Sequence, residues 1–159
     1  MKIIEKDFFG GLDLFMAEAG DALELKAAED VCFPGDPWSV SIFEQSLRDP
    51  VYKIYVLKDM QTPKMLAYCV MSYCPPEAEL INIATVPEAR GQGIGKAILS
   101  KIIAECQEKE VEQVFLEVRE SNEAARALYE KGGFEMIGKR RNYYKSPRED
   151  AVLMCLDIE

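Results

Sequence analysis

The chain of 159 residues contains no histidine. That absence removes every mechanism in which this chain supplies an imidazole, including Ser-His-Asp and Cys-His catalysis and H-E-x-x-H zinc chemistry. Proton transfers would fall to Glu, Asp, Tyr, Lys, Cys or water. The cysteines, Cys32, Cys69, Cys74, Cys106 and Cys155, are odd in number and form no C-x-x-C pair. Most sit in apolar runs, where a free thiol behaves as a small core residue, so neither a disulfide framework nor a metal site is expected. No apolar stretch approaches the ~18 residues that span a bilayer. The opening segment MKIIEKDFFGG carries charges every few residues and lacks a signal-peptide core, so a cytoplasmic protein without a membrane partner is expected. Positive charge is also scarce: 19 Lys and Arg stand against 28 Asp and Glu, a net charge of −9. Direct nucleic-acid binding is disfavoured, because it rests on cationic contacts to phosphate. A basic polypeptide partner remains compatible. Repeats, low-complexity tracts and Ser/Gly linkers are missing too, and the length suits one domain over 1–159, with Met1–Gly11 read as a polar leader.

What is present alternates between strand and helix patterns. Leu12 to Glu18 reads as a strand, broken at Gly20. Asp21 to Val31 reads as a helix capped by Asp21, with Leu23, Ala27, Ala28 and Val31 on its apolar face. CFPGDPWS, Cys32 to Ser39, is a turn-rich loop carrying two large apolar residues, Phe33 and Trp38. They either pin the loop to the core or wall a binding groove. Ser39 or Ser41 is placed to cap a short helix to Arg48 with Ile42, Phe43 and Leu47 inward, and Ser41 with Glu44 fits a capping box. Tyr52–Lys58, Met65–Tyr73 and Glu79–Val86 read as an antiparallel meander. A helix from Gly93 to about Lys109 buries a stripe of Ile94, Ile98, Leu99, Ile102, Ile103 and Cys106. Val111–Arg119 is the next strand, and a strand–helix–strand unit of this length implies a right-handed crossover to a parallel neighbour. A helix from Ser121 to Lys131, capped by Ser121 or Asn122 and ended by Gly132-Gly133, leads to closing strands at Phe134–Tyr144 and Ala151–Ile158.

The densest chemical signal is EAELINIATVPEARGQGIGK. A strand delivers a glycine-rich loop onto a helix N-terminus, where unpaired N–H groups and the helix dipole favour an anion. Two known phosphate motifs fail on spacing. G-x-G-x-x-G would need a glycine at Lys96 or Ile98, and G-x-x-x-x-G-K-[ST] would need a glycine at Arg90 and a hydroxyl at Ala97. What remains is R-x-x-G-x-G, formed by Arg90, Gly93 and Gly95.

That pattern, after NIAT-V-P and before an amphipathic helix, resembles the pyrophosphate loop of the GNAT acetyltransferase superfamily. The resemblance narrows downstream. Phe115–Tyr144 (FLEVRESNEAARALYEKGGFEMIGKRRNYY), the run Arg148–Leu156 and the FPGDPWS loop are similar to the bacterial RimI family. Its members N-acetylate the N-terminal alanine of a small-subunit ribosomal protein. The resemblance implies an α/β (α+β) GNAT acyl-CoA N-acyltransferase fold: a mixed, mostly antiparallel sheet of about seven strands flanked by helices, with a splayed central parallel pair. It also implies acetyl-CoA as cosubstrate, no metal, and a monomer or weak homodimer. Three departures stand out: Arg90 where relatives often carry Gln, Thr85-Val86 where Val followed by Asp or His is usual, and a Met1–Gly11 segment without counterpart.

Acetyl transfer from a thioester needs a neutral amine, a polarised carbonyl and a protonated leaving thiolate. An α-amine with a pKa of about 8 is roughly one-tenth neutral at neutral pH, so a weak base suffices. Strand alternation sets Phe115, Glu117 and Arg119 on one face. Spacing alone leaves Glu117 as a solvated carboxylate or a base, and Tyr129 as a packed helix tyrosine or an acid. The resemblance implies the catalytic pair, with Glu117 as base and Tyr129 as acid. It further implies that Ile83, Ala84 and Thr85 hold the pantetheine arm and that Arg90, Gly91, Gln92, Gly93, Ile94, Gly95 and Lys96 cradle the pyrophosphate. Asn122 is a cofactor contact or a plain N-cap. Phe33, Trp38, Arg141 and Tyr143 are the expected peptide contacts. Two other functions stay open: acetylation of a lysine or small-molecule amine, and a non-catalytic CoA-binding module.

Overall fold

A computed structural model describes residues 1–159. The elements run β1 (Lys2–Phe9), β2 (Leu12–Met16), α1 (Ala22–Cys32), α2 (Val40–Arg48), β3 (Tyr52–Asp59), β4 (Lys64–Cys74), β5 (Glu77–Thr85), α3 (Ile94–Glu108), β6 (Gln113–Arg119), α4 (Glu123–Lys131), β7 (Glu135–Lys145) and β8 (Arg148–Asp157). All strands join one eight-stranded sheet in the order β1-β2-β3-β4-β5-β6-β8-β7. Every pairing is antiparallel except β5 with β6, which is parallel. The α3 crossover joins that pair, as the strand–helix–strand pattern requires.

The sheet has eight strands rather than about seven because Met1–Gly11, read as a polar leader, contributes a strand. Lys2–Phe9 pairs with β2, and Phe9 faces Leu12 across a two-residue Gly10-Gly11 turn. Both glycines have positive φ, +55° and +81°. A tight hairpin demands that backbone, and Gly-Gly between FF and LDLF is its local signature. The charges that made the segment look like a leader suit an exposed edge strand.

Helices cover the two faces of the sheet. On one, α3 buries Ile94, Ile98, Leu99, Ile102 and Cys106 against Leu57, Cys69, Leu80 and Leu116. A fully buried Ile or Leu contributes roughly 1.5–3 kcal/mol of transfer free energy, so this stripe anchors α3 behind the parallel pair. On the other face, Leu25 and Phe43 pack on Ile54, Tyr68 and Val70. The α1 register differs from the expected one. Ala22, Leu25, Ala28 and Glu29 face inward, while Leu23 and Val31 are 75% and 54% exposed. Both stripes obey helical spacing, and the sheet surface under α1 selects between them. Asp21 does not cap α1; its carboxylate accepts from the Glu18 N–H at 2.7 Å. In α2 the cap is Ser39, whose hydroxyl accepts from the Ile42 N–H, so Ser41 lies inside the helix and the Ser41–Glu44 box does not form. Ile42 is 40% exposed and Phe43 fills the inward position.

One irregularity positions everything that follows. In the β4–β5 ladder Val70 pairs with Asn82 and Met71 with Leu80, leaving Ile81 as an extra residue. Such a bulge bends its strand and raises the local twist. On its other side β5 pairs with β6 only from Glu77–Gln113 to Leu80–Leu116. Beyond that point the two strands splay. The backbone of Ile83–Thr85 keeps β4 as its neighbour and has no strand partner on the β6 side.

Candidate active site

The splay opens onto the glycine loop. Strand β5 ends at Thr85, and the Arg90 Nε donates to the Thr85 carbonyl at 2.9 Å, tying the loop to the strand end. Gly91 and Gly93 take φ of +78° and +85°. Gly95 lets α3 approach α4, because a Cβ there would lie 3.2 Å from a Leu128 methyl. The result is a trough of about 330 Å³ lined by Ile83, Ala84, Thr85, Arg90, Gly91, Gly93, Ile94, Gly95 and Asn122, with Phe33 at its rim. Unpaired strand backbone, a left-handed glycine turn and a helix N-terminus fit a chain ending in a pyrophosphate. Gln92 and Lys96 are exposed and do not line this trough. Lys96, in the first turn of α3, faces a separate hollow between α3 and α4. The Asn122 amide oxygen accepts from the Ala125 N–H at 3.2 Å, so this residue caps α4 and lines the trough at once.

A second groove of about 340 Å³ continues from the trough through Phe33, Ile83, Asn122 and Ala125. Glu117 on β6 and Tyr129 on α4 both line it, although the chain reaches them by different elements. Tyr129 is 5% exposed, and its ring packs on Phe134 with centroids 5.8 Å apart. Burial, with smaller contributions from Cys69 and Tyr144, pushes its phenol well above the ordinary tyrosine range, so it stays protonated and able to donate. Glu117 is partly exposed and lies 3.5 Å from the Arg140 Nε. Hydrogen bonding to Glu117, then burial, raises the Tyr143 phenol. Desolvation, then the Glu117 charge, raises the Glu79 carboxyl. Burial foremost takes Tyr144 up to about 12.

The peptide-side expectations divide. Phe33 and Trp38 line the groove, and Trp38 also stacks on Phe43 at 5.4 Å between centroids. They pin the loop and wall the groove together. On β7 the register jumps: Arg140 pairs with Ala151, and the next pair is Tyr144 with Glu149. Two extra residues bulge there, with Asn142 at φ +54° and its N–H on the Asp150 carboxylate. The jump shifts the side-chain phase. Tyr143 remains near Glu117; Arg141 is exposed and lines neither groove, Tyr144 lines the second, and Arg140 pairs with Glu117 from a neighbouring hollow.

Two lining residues had no sequence motif. Arg119 donates to the Ser146 and Pro147 carbonyls, pairs with Asp36 at 3.1 Å and Glu149 at 3.3 Å, and lies over the Tyr144 ring at 4.2 Å. It fastens the α1–α2 loop to the β7–β8 turn. Glu29 is 1% exposed on the inward stripe of α1. It accepts from the Trp38 N–H at 2.8 Å, the Asn82 amide at 2.9 Å and the Tyr68 hydroxyl. Its one sequence signal, an acid at an apolar-face position, is legible only once the helix register is known.

Comparison with known proteins agrees with this geometry. Residues 21–134 match the Acetyltransferase (GNAT) family. The chain is 40% identical over 124 residues to the ribosomal protein bS18-alanine N-acetyltransferase of Escherichia coli, covering 77% of this chain and 82% of that one. It is 38% identical over 122 residues to the Haemophilus influenzae protein of the same name, covering 75% and 81%. A crystal structure of the Escherichia coli enzyme superposes with a TM-score of 0.84 at 36% identity, over 93% of this chain and 94% of that one. A GNAT family acetyltransferase from Elizabethkingia anophelis, solved with acetyl-CoA bound, shares the fold at a TM-score of 0.76 and 19% identity, over 94% and 99% of the two chains.

Proposed function

The chain belongs to the GNAT acetyltransferase family, and from that premise we propose that it acetylates the N-terminal α-amine of a ribosomal protein that begins with alanine, using acetyl-CoA. The observation that carries the reading is the splayed β5–β6 pair. It sets the glycine trough end to end with a groove onto which Glu117 and Tyr129 both open. The substrate class rests on the relatives at 38–40% identity, which share that acceptor in their names.

Acetyl-CoA supplies an activated acetyl thioester. Arg90, Gly91, Gly93, Ile94 and Gly95 hold its pyrophosphate through loop and helix N–H groups. The free edge of β5 at Ile83, Ala84 and Thr85 orients the pantetheine arm by strand-like hydrogen bonds. Glu117 accepts the amine proton, directly or through a water, and general-base help of this kind contributes typically ~10²–10⁴-fold. Tyr129 returns a proton to the departing thiolate, a role open to it because burial keeps the phenol protonated. Phe33, Trp38, Arg140, Tyr143 and Tyr144 surround the acceptor's first residues. One continuous sheet supports a single domain over 1–159. The working form in this reading is a monomer or a weak homodimer. No helix is long and apolar enough to cross a membrane.

The test is to incubate the protein with acetyl-CoA and a peptide starting with alanine, and to locate the acetyl group by mass spectrometry. Acetylation of the α-amine is expected. Product only on lysine side chains or small amines would assign the chain to another acceptor, and tight acetyl-CoA binding without turnover would make it a binding module.

A further inference from the structure

Glu29 is the most buried charged side chain in the molecule, and it takes no part in the proton transfers assigned above. A carboxylate this deep is costly unless its oxygens are satisfied. Here one oxygen accepts the Trp38 N–H, and the other accepts the Asn82 amide and the Tyr68 hydroxyl. The three donors belong to three separate parts of the site. Trp38 lies on the loop that walls the groove, Asn82 follows the Ile81 bulge on the splayed strand, and Tyr68 lies on β4 beneath them. The indole also leans on Phe43, which in turn meets the Tyr68 ring edge-on at 6.1 Å. The carboxylate therefore links the acceptor wall to the cofactor strand through a closed set of contacts.

We propose that Glu29 is a positioning residue for acetyl transfer: its carboxylate locks the Trp38 loop to Asn82 and so preforms the acceptor groove before the amine arrives. The proposal rests on the acetyl-transfer reading. Charge-assisted hydrogen bonds of this kind are the strong ones, and leaving a buried donor facing another donor is worse than losing the bond. Glu29→Gln does that. The amide retains one acceptor oxygen and turns an NH₂ towards either the Trp38 N–H or the Asn82 amide. The loop is thereby released while the glycine trough, whose lining does not include Glu29, is untouched. Ordering the loop then falls on the acceptor, which binds more weakly.

Trp38 is the only tryptophan in the chain, so its emission reports this loop without any turnover. For Glu29→Gln we expect an acceptor-peptide KM raised about tenfold, an acetyl-CoA dissociation constant within about twofold of the parent, and Trp38 emission moved to the red. Glu29→Asp, which keeps the charge but shortens the reach, should show smaller shifts of KM and emission in the same direction, and it serves if the Gln variant does not fold. Leu25→Ala, a buried change on the same helix, should lower the melting temperature and leave KM and emission in place. An acceptor KM that stays put while emission moves, an unmoved emission, or equal losses of peptide and acetyl-CoA binding would overturn the proposal. A parent protein that acetylates no peptide would instead remove the reading beneath it, and the parent is measured first.

Discussion

The two walls of the site are made differently. The proposed cofactor wall is backbone: the free edge of β5, the left-handed turn through Gly91 and Gly93, and the start of α3. The proposed acceptor wall is side chains on the α1–α2 loop and the end of β7, held by Glu29 from below and by Arg119 across the top. A backbone cradle tolerates change in most side chains, provided that its glycines stay and its helix start is buried. A wall clasped by ion pairs depends on each clasp. The first construction suits a cofactor common to many enzymes, and the second suits an acceptor that differs between them.

Substitutions can be ordered by how hard they strain that contrast. The largest effect belongs where the walls meet. Glu117→Gln and Tyr129→Phe should each lower kcat by about 10²-fold with acetyl-CoA affinity spared, as single-turnover and binding assays would register. Parent kcat/KM should rise with pH as the acceptor amine deprotonates around pH 8, and Tyr129 should cause no fall below about pH 10, because its raised pKa keeps the acid form. A descending limb removed by Tyr129→Phe below that pH would contradict the assignment.

Next is the cofactor wall. Gly93→Val forces a β-branched side chain to φ +85°, where a Cβ also meets the Phe9 ring at 3.4 Å. Acetyl-CoA affinity should drop on the order of tenfold, while acceptor KM at saturating acetyl-CoA stays constant in steady-state kinetics. On the acceptor wall, Arg119→Lys keeps the charge but cannot span Asp36, Glu149 and two carbonyls, nor stack flat on Tyr144. Acceptor KM should rise about fivefold, equivalent to roughly 1 kcal/mol, with acetyl-CoA binding unchanged. Matched effects on both ligands would dissolve the distinction between the walls.

The smallest effect concerns pH. Hydrogen bonding to Ser121 first, then Arg119, holds the Glu149 carboxyl below its ordinary value. A folded pKa below the unfolded one, about 4.3, gives stability that is complete above the unfolded value and lost as pH falls through the folded one. Glu149→Gln should therefore lower the melting temperature at pH 6, and the gap from the parent should narrow as the pH falls below the ordinary carboxylate range. A gap independent of pH would place the effect in packing rather than charge.

How far each feature could be read from residues follows the same divide. The α3 stripe, the glycine loop and the phase of Phe115, Glu117 and Arg119 obey rules within a few residues of one another, and the structure has each in that form. The α1 face, the first strand and the β7 phase do not. Leu23 and Val31 made as good a helical stripe as Leu25 and Ala28 until a sheet surface chose. Met1–Gly11 looked polar because an edge strand is polar. Arg140 rather than Arg141 meets Glu117, and the bulge that sets this phase depends on partner strand β8.

By itself the amino-acid sequence determined the glycine loop at a helix start, since Gly91 and Gly93 permit the positive φ they take and the apolar stripe of α3 begins beside them, all within one short stretch. It determined the element order from β2 onward for the same local reason. Only the tertiary structure decided that β5 leaves β6 after Leu80, that Glu117 and Tyr129 share a groove, and that Glu29 closes on Trp38, Tyr68 and Asn82. Those contacts join residues up to 53 positions apart, and no spacing rule reaches across chain segments whose approach is settled by packing of the whole sheet.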